Sequence, residues 1–553
     1  MGQDNLTIEY DDLVSELKRK PQCSDKWLKL IHVAEGSEDI EKILHTYESF
    51  LLVYPSNAFA QVRHLDHLLR HNLFKEAEFF FRKSLTNSHS VDLWKRYIDY
   101  VRHISAPDQH HTIEEAYEYA LAHIGQDRDS GFVWSEYISF LRNKGTVDER
   151  QALTTLCKIY YRAVRIPLRN VDSLWKELED IALHLNDVDA RNALARLSPA
   201  YMRARDVLKQ LDNFMASLDP PQVSGVYIPP SPSFSASERG LIGKWKNYLK
   251  WEESNPLGLD GENIPTLHLR IRMAYKKAVT SMPYHTEIWF MAYDWFDNIG
   301  LKEEAMLMLT LGLKANPSSH LLTFTLAEAF ELKKKYEDVH ATYLGLLVNL
   351  REQLENCSCQ ASVEKESWKV AQQNPAGCSP SESARHRSSV DSHQVAEIAK
   401  RRTEYGLVWV MYMRFGLRAE GTQSLRSIFG KVRRDRWATW ETYDASARME
   451  YHHTGDKDVG SRIYEKGMTA FGHEVDYILR YLEFLLSIND PTNARVLFER
   501  ALHNIAPEHT TPLWQCWSQY QYMYGDLEDS LKLGKRMAEH NLSGIIFCQI
   551  RFL

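Results

Sequence analysis

A short aromatic phrase recurs along the chain and constrains its fold more than any other feature. Its clearest copy spans 94–100 and reads Trp-Lys-Arg-Tyr-Ile-Asp-Tyr. Residues three apart share one face of an α-helix, so Trp94, Tyr97 and Tyr100 would form an aromatic ridge while the charged residues between them face water. Further close copies begin at Trp134, Trp245, Trp409 and Trp514, and looser ones begin at Trp27, Trp175, Trp289 and Trp440.

The spacing of these copies predicts the architecture. Trp134 follows Trp94 after 40 residues, Trp175 follows after another 41, and Trp289 follows Trp245 after 44. Such an interval holds two helices and their turns, which is the period of helical-hairpin solenoids. The sequence therefore predicts an all-α repeat array. Its predicted core side chains are Trp27, Trp94, Tyr97, Trp134, Tyr137, Trp175, Trp245, Tyr248, Trp289, Trp409, Tyr412, Trp440, Tyr443 and Trp514.

The composition fits such an array and excludes some functions. The chain has 553 residues, which is more than one hydrophobic core normally organises. Its formal net charge of -7 argues against a protein whose main task is to coat nucleic acid, since such proteins carry surplus Lys and Arg. The N-terminus lacks a basic and then apolar signal segment, and no run reaches about 18 apolar residues. We therefore expect an intracellular protein without a membrane span.

Two polar stretches interrupt the array. The stretch 219–237 contains two Pro-Pro pairs and one Ser-Pro pair, which exclude a helix, so we predict a hinge there. This hinge would separate an N-terminal array, 1–218, from a C-terminal array. The stretch 355–392 is rich in Ser, Gln, Glu and Asn and predicts a disordered loop. That loop would divide the C-terminal array into 238–354 and 393–553.

No catalytic, cofactor-binding or metal-binding residue is predicted. The phosphate-binding loop, the nucleophile elbow and the His-Glu-x-x-His motif do not occur in the sequence. The seven cysteines are scattered, which is typical of reduced, metal-free thiols in an intracellular protein. The alternative is a metal site formed by Cys357, Cys359, Cys378 and His386, although their Cys-x-Cys spacing lacks a matching second pair.

Two basic segments are candidates for contacts with partners. Four cations lie within six residues at Lys431, Arg433, Arg434 and Arg436, and they could pair with an acidic partner or with RNA phosphates. A solvated helix end is the alternative interpretation. The run 400–402, Lys-Arg-Arg, adjoins the polar stretch and could act as a nuclear import signal.

Several runs of the sequence resemble a known family. The second-helix run 495–501, Arg-Val-Leu-Phe-Glu-Arg-Ala, together with the aromatic first helices, resembles the HAT (half-a-TPR) repeat. Longer runs at 245–257, 335–340, 412–421 and 494–502 are similar to the suppressor-of-forked family, which includes the large HAT subunit of cleavage stimulation factor. These runs occur in order along almost the whole chain.

The resemblance implies two HAT arrays set at an angle. It also implies a nuclear, non-catalytic scaffold of mRNA 3′-end cleavage and polyadenylation, with the cytoplasm as an additional location. The implied partners are a second copy, bound through the second part of the C-terminal array at 393–553, and other processing subunits, including one with an RNA-recognition motif. Pre-mRNA would then be bound mostly indirectly, and no cofactor is implied.

Two departures from the family pattern qualify these expectations. The stretch 355–392 is longer than the family needs at that connection. Relatives also continue past the position of Leu553 into a proline-rich segment and a tail that holds the RNA-recognition-motif subunit, so a chain ending there would lack the usual site for it. Two other functions stay open: a HAT scaffold of the spliceosome or of ribosomal-RNA processing, and a direct RNA-binding module that uses the Arg433 region.

Overall fold

The computed structural model describes residues 2–19, 23–37, 39–85, 88, 90–106, 109–143, 149–185, 188–218, 228–229, 232–233, 235–372 and 380–539. These described residues form 25 α-helices and no β-strand. The chain divides into two compact units, which we call the N-terminal unit (Met1–Met308) and the C-terminal unit (Leu309–Leu553).

The first fourteen helices belong to the N-terminal unit. They are α1 (Gly2–Arg19), α2 (Ser24–Gly36), α3 (Ile40–Val53), α4 (Ala58–Arg70), α5 (Phe74–Ser84), α6 (Val91–Ile104), α7 (His110–Ile124), α8 (Gly131–Asn143), α9 (Glu149–Ala163), α10 (Val171–Leu185), α11 (Val188–Leu218), α12 (Ala236–Glu253), α13 (Ile264–Ser281) and α14 (Thr286–Asn298). Short 3-10 helices span Arg128–Ser130 and Gly261–Asn263.

The remaining helices follow in chain order. They are α15 (Lys302–Ala315), α16 (His320–Leu332), α17 (Tyr336–Gln372), α18 (Pro380–Phe415), α19 (Thr422–Val432), α20 (Trp440–Thr454), α21 (Lys457–Phe471), α22 (Val475–Ser487), α23 (Pro491–Asn504), α24 (Thr511–Tyr524) and α25 (Leu527–Glu539). A π-helical turn spans Gly416–Glu420, and a 3-10 helix spans Pro507–His509.

Consecutive helices pair as antiparallel hairpins inside each unit. Such pairs include α4 with α5, α6 with α7, α8 with α9, α20 with α21 and α22 with α23. First helices also pack on first helices of the next hairpin, as α4 does on α6 and as α20, α22 and α24 do in series. Each hairpin thus buries its apolar face against its neighbours, and the repeated helical-hairpin fold predicted from the aromatic spacing is confirmed.

Most of the predicted core side chains are inaccessible to water. The buried ones are Trp27, Trp94, Trp134, Tyr137, Trp175, Trp245, Tyr248, Trp289, Trp409, Tyr412, Tyr443 and Trp514. Tyr97 and Trp440 are half-buried. On α6 the buried face consists of Leu93, Trp94 and Ile98. Trp94 therefore shares this face with the residue four positions later, and Tyr97 lies at the edge of the face.

Several tryptophans also close the turn that precedes their own helix. A buried indole needs a partner for its N–H, and a turn carbonyl needs a donor, so one hydrogen bond satisfies both groups. The pairs are Trp94 Nε1 with Ser88 O (3.0 Å), Trp134 Nε1 with Gly125 O (3.1 Å) and Trp289 Nε1 with Pro283 O (2.8 Å). The tryptophan of the phrase therefore fixes the entry into its helix as well as filling the core.

Small residues on the second helices allow the helices to approach closely. Ala120, Ala163, Ala278 and Ala501 are almost fully buried on α7, α9, α13 and α23. On α21 this place is taken by glycine, and a Cβ at Gly467 would meet the hydroxyl end of the buried Tyr477 of α22. The sequence pattern of a small residue on each second helix reflects this contact.

Replacing Gly467 with alanine is expected to destabilise the protein by about 1–3 kcal/mol, because the added methyl overpacks the site. Its Cβ would lie 1.9 Å from Tyr477 Oη, and that hydroxyl donates to Tyr464 O at 2.9 Å. The matched control is Gly430→Ala in α19, where an added Cβ meets nothing within 4 Å. The control should gain about 0.5–1 kcal/mol from helix propensity alone. Urea unfolding measures both, and equal effects would contradict the packing argument.

The predicted hinge at 219–237 falls within the N-terminal unit, and most of it lies outside the described residues. The helices on its two sides, α11 and α12, pack against each other. Trp251 Nε1 donates to Gln210 Oε1 at 3.0 Å, and Arg203 Nη1 donates to Leu257 O at 3.0 Å. The predicted array boundaries stay a prediction, while the compact units divide at a later position.

The second polar stretch differs from the loop that its composition suggested. Helix α17 continues through Gln372 and α18 begins at Pro380, so 355–372 and 380–392 are helical, while 373–379 lie outside the described residues. The physical reason is local, because no glycine or proline occurs between 355 and 374. Glu, Gln, Lys and Ala in this run are good helix formers, so polarity alone does not end the helix.

Candidate interaction surface

The four cations predicted as a contact site lie at the turn that joins α19 to α20. Lys431 is in the last turn of α19, where a positive charge interacts favourably with the helix dipole. The backbone N–H groups of Arg433, Arg434 and Asp435 donate to carbonyls three or four residues earlier, at 2.9–3.1 Å. This tight turn leaves Lys431, Arg433, Arg434 and Arg436 exposed.

A buried carboxylate stabilises this turn from the interior of the protein. Asp435 is 8% exposed, and it accepts hydrogen bonds from the Tyr405 hydroxyl, the Arg351 guanidinium and, at 3.0 Å, the backbone N–H of Trp437. Burial, together with the hydrogen bond to Asp435, raises the pKa of Tyr405 to about 12. With its one acidic residue turned inward, the segment presents cations to solvent.

The structure separates these four cations into two groups. Arg436 pairs with Glu355 at 3.3 Å, and its guanidinium lies 4.9 Å from the ring centroid of Trp437. Within the described part of the chain, no ion pair engages Lys431, Arg433 or Arg434. Three of the four predicted contact residues are therefore available to a partner.

The basic run 400–402 is less available than its composition suggests. Arg401 pairs with Glu397 at 2.8 Å, and Arg402 Nη2 donates to Ala438 O at 2.6 Å. Both arginines are half-buried on α18, while Lys400 is exposed. The import signal stays a prediction, and its use would require a receptor to displace these contacts.

Two runs that carry the family resemblance meet in the C-terminal unit. His340 Nδ1 lies 2.8 Å from the Tyr412 hydroxyl, and His340 Nε2 lies 3.1 Å from Glu420 Oε1. Hydrogen bonds from the Ser424 hydroxyl and from His340 lower the pKa of Glu420. Glu420 ends the π-helical turn Gly416–Glu420, so these resembling residues pack a helix junction. Their role in the fold is structural.

A charge network between repeats was not found from the sequence. In each unit, a glutamate on the second helix of one hairpin accepts hydrogen bonds from two residues of the next hairpin. One donor is a tyrosine on that hairpin's first helix, and the other is an arginine on its second helix. The groups are Glu118 with Tyr137 (3.1 Å) and Arg162 (2.9 Å), and Glu465 with Tyr481 (2.9 Å) and Arg500 (3.2 Å). Burial and the charge of Glu118 raise the pKa of the Tyr137 phenol. The recurring Tyr-Glu pairs at 117–118 and 464–465 are the signal that would have found it.

The described residues contain no group of three or more His, Cys, Asp or Glu side chains arranged to hold a metal ion. Of the alternative metal ligands, Cys357 is half-buried and Cys359 is exposed. Cys378 lies outside the described residues, and the side chain of His386 is not among those described. Among the described helices, none has the length and apolar character needed to cross a membrane.

Comparison with known proteins covers almost the whole chain. The family model described as Suppressor of forked protein (Suf) matches residues 9–543. The mRNA 3′-end-processing protein RNA14 of Cryptococcus neoformans is 35% identical, over 96% of this chain and 53% of its own length. The mRNA 3′-end-processing protein rna14 of Schizosaccharomyces pombe is 32% identical, over 96% of this chain and 71% of its own length. The chain thus spans about half the length of the Cryptococcus relative.

The fold also has a solved counterpart. The crystal structure of CstF-77 matches with a TM-score of 0.52 at 19% sequence identity, and the match covers 88% of this chain and 89% of that one. At this identity the likeness bears on the fold, which is the helical-hairpin repeat derived above. The match of the family model over nearly every repeat carries the assignment, and the chain belongs to the suppressor-of-forked family.

Proposed function

We propose that this protein is a non-catalytic scaffold subunit of the nuclear machinery that cleaves and polyadenylates pre-mRNA. The observation that carries the proposal is its similarity, over 96% of the chain, to proteins named for mRNA 3′-end processing. Stacked hairpins support it, because each hairpin exposes one side of its helices, and a row of such faces can hold several proteins at once.

The proposed partners are a second copy of the chain, bound through 393–553, and other processing subunits, including one with an RNA-recognition motif. Pre-mRNA would be held mostly through those subunits. Homodimerisation would double each surface and raise the effective concentration of tethered partners. The exposed cations Lys431, Arg433 and Arg434 are the proposed contact residues for an acidic partner or for RNA phosphates.

Purification of the tagged chain from nuclear extract tests the scaffold role. We expect mass spectrometry to recover cleavage and polyadenylation subunits at low and moderate salt. An untagged copy of the chain, coexpressed with the tagged one, should be recovered in the same purification if the protein dimerises. Presence or absence of the RNA-recognition-motif subunit shows whether this chain suffices to hold it.

The alternatives predict different material in the same purification. Recovery of splicing or pre-ribosomal proteins with their small nuclear or nucleolar RNAs would replace the proposed function with that of another HAT scaffold. For the direct RNA-binding alternative, poly-uridine should bind the purified chain with a steep salt dependence. That binding should then be lost on neutralising Lys431, Arg433 and Arg434, while neutralising the ion-paired Arg500 serves as the matched control.

A further inference from the structure

A cleft of about 400 Å³ opens on the surface of the C-terminal unit. The end of α18 and the π-helical turn form one wall, and α20 forms the other. Its floor is apolar, with Leu417, Ala445 and Met449 half-buried. This volume lies within the range of pockets that bind small ligands or the anchoring side chain of a peptide.

The polar residues of the cleft leave a surplus of positive charge. The negative charge of Asp444 is already balanced within the protein, since its carboxylate accepts hydrogen bonds from Arg448 Nε at 2.8 Å and from the Tyr464 hydroxyl at 2.5 Å. Arg448 is committed to Asp444 and also lies 3.5 Å from Glu483. Arg414 differs, because in the described part of the chain its guanidinium contacts the Met411 sulfur at 3.7 Å and forms no ion pair.

Two histidines extend this rim. His452 and His453 are exposed in the last turn of α20 and line the same cleft. An imidazole can donate an N–H to a carboxylate in either of its protonation states. The cleft therefore combines an apolar floor, one unpaired guanidinium and two further donors, and an apolar side chain flanked by carboxylates matches this arrangement.

We propose that this cleft docks a short acidic peptide of a partner protein, with one apolar side chain on Leu417, Ala445 and Met449 and a neighbouring carboxylate paired with Arg414. The inference rests on the proposed scaffold function and deepens it by naming one docking surface and its ligand chemistry. RNA fits less well, because no Phe, Tyr or Trp side chain lines the cleft to stack a base.

Fluorescence anisotropy with labelled peptides tests the proposal on the full chain. The probes are short fluorescein-labelled peptides in which Glu and Asp flank a single Leu, Met or Phe. Matched peptides carry Lys in place of the acids or Ser in place of the apolar residue. We expect the acidic apolar peptides to bind and both matched sets to bind at least about tenfold more weakly.

Two variants tie that binding to the cleft. Arg414→Glu should weaken peptide binding by about tenfold or more, since the exposed guanidinium is replaced by a carboxylate that repels the acidic residues of the peptide. Met449→Glu should also weaken peptide binding, because it places a carboxylate on the apolar floor of the cleft. Circular dichroism verifies that the variant is folded. The control is Arg462→Glu on α21, an exposed arginine that lines no part of the cleft and whose side chain donates to a backbone carbonyl.

Each outcome decides the question. The proposal is overturned if the acidic peptides bind no better than the lysine peptides, or if Arg414→Glu and Arg462→Glu bind them equally. Poly-uridine binding that depends on Arg414 would assign the cleft to RNA instead. Failure here leaves the scaffold function standing as long as processing subunits are recovered from nuclear extract, and loss of that recovery would remove the scaffold function even if the peptides bind.

Discussion

Replacing Arg270 with alanine is expected to lower the free energy of unfolding by about 3–5 kcal/mol, because the change strands a buried carboxylate. Arg270 and Glu252 are 6% and 2% exposed, and Arg270 Nη2 donates to the two carboxylate oxygens at 2.9 and 3.2 Å. Arg270 Nη1 also donates to Gln126 O at 3.3 Å, and the Tyr248 hydroxyl donates to Glu252 at 3.3 Å. Urea unfolding monitored by circular dichroism measures the loss.

The control for this prediction is an exposed pair of the same type. Arg162→Ala breaks the ion pair between Arg162 and Glu118, two side chains that are 48% and 41% exposed. This change should lower the free energy of unfolding by less than about 1 kcal/mol. A double variant, Arg270→Met with Glu252→Leu, should recover much of the loss, because it removes the stranded charge together with its partner. Equal losses for Arg270→Ala and Arg162→Ala would show that burial does not govern this pair.

Trp134→Ala is expected to cost a similar amount, about 3–5 kcal/mol, through the cavity that it leaves. Trp134 is 2% exposed, its indole N–H donates to Gly125 O, and the Arg162 guanidinium lies 5.4 Å from its ring centroid. Because each hairpin is stabilised by its neighbours, the loss should be largest in the adjoining repeats. Hydrogen exchange should therefore show weakened protection in α6 to α9 before other parts of the chain.

The neighbouring aromatic residue supplies the matched control. Phe132 lies on the same helix but is 48% exposed, so Phe132→Ala should cost under about 1 kcal/mol. Trp134→Phe should fall between the two, because it keeps much of the apolar area and loses the hydrogen bond that closes the turn, worth about 1 kcal/mol. A Phe132 variant as unstable as Trp134→Ala would refute the assignment of the phrase to the core.

Much of the fold could be read from local periodicity. A ridge spaced three and four residues apart specifies which helix face is buried, and a period of about 40 residues specifies a hairpin, since both depend on neighbours in the sequence. Trp94, Trp134 and Trp514 are buried where that reasoning placed them. Polarity was a weaker guide, because 355–372 is polar and yet helical.

The candidate surface could be read only in part. Composition located the cations around Arg433, and it could not tell that Arg436 is paired with Glu355 while Asp435 is buried beneath the turn. The cleft was not visible at all, because Arg414 and His453 belong to different helices with no shared motif. Charge pairing and concavity depend on which residues a fold brings together.

The sequence by itself determined the repeated helical hairpin, its aromatic core and, through the resemblance of its runs, the family. The tertiary structure alone decided which charged side chains pair with one another inside the protein and which stay exposed to partners. Arg270 meets the carbonyl of Gln126 across 144 residues of chain, and such a contact leaves no local pattern. Helix periodicity is a short-range property of the backbone, whereas the pairing of a charged side chain is settled by packing between distant segments.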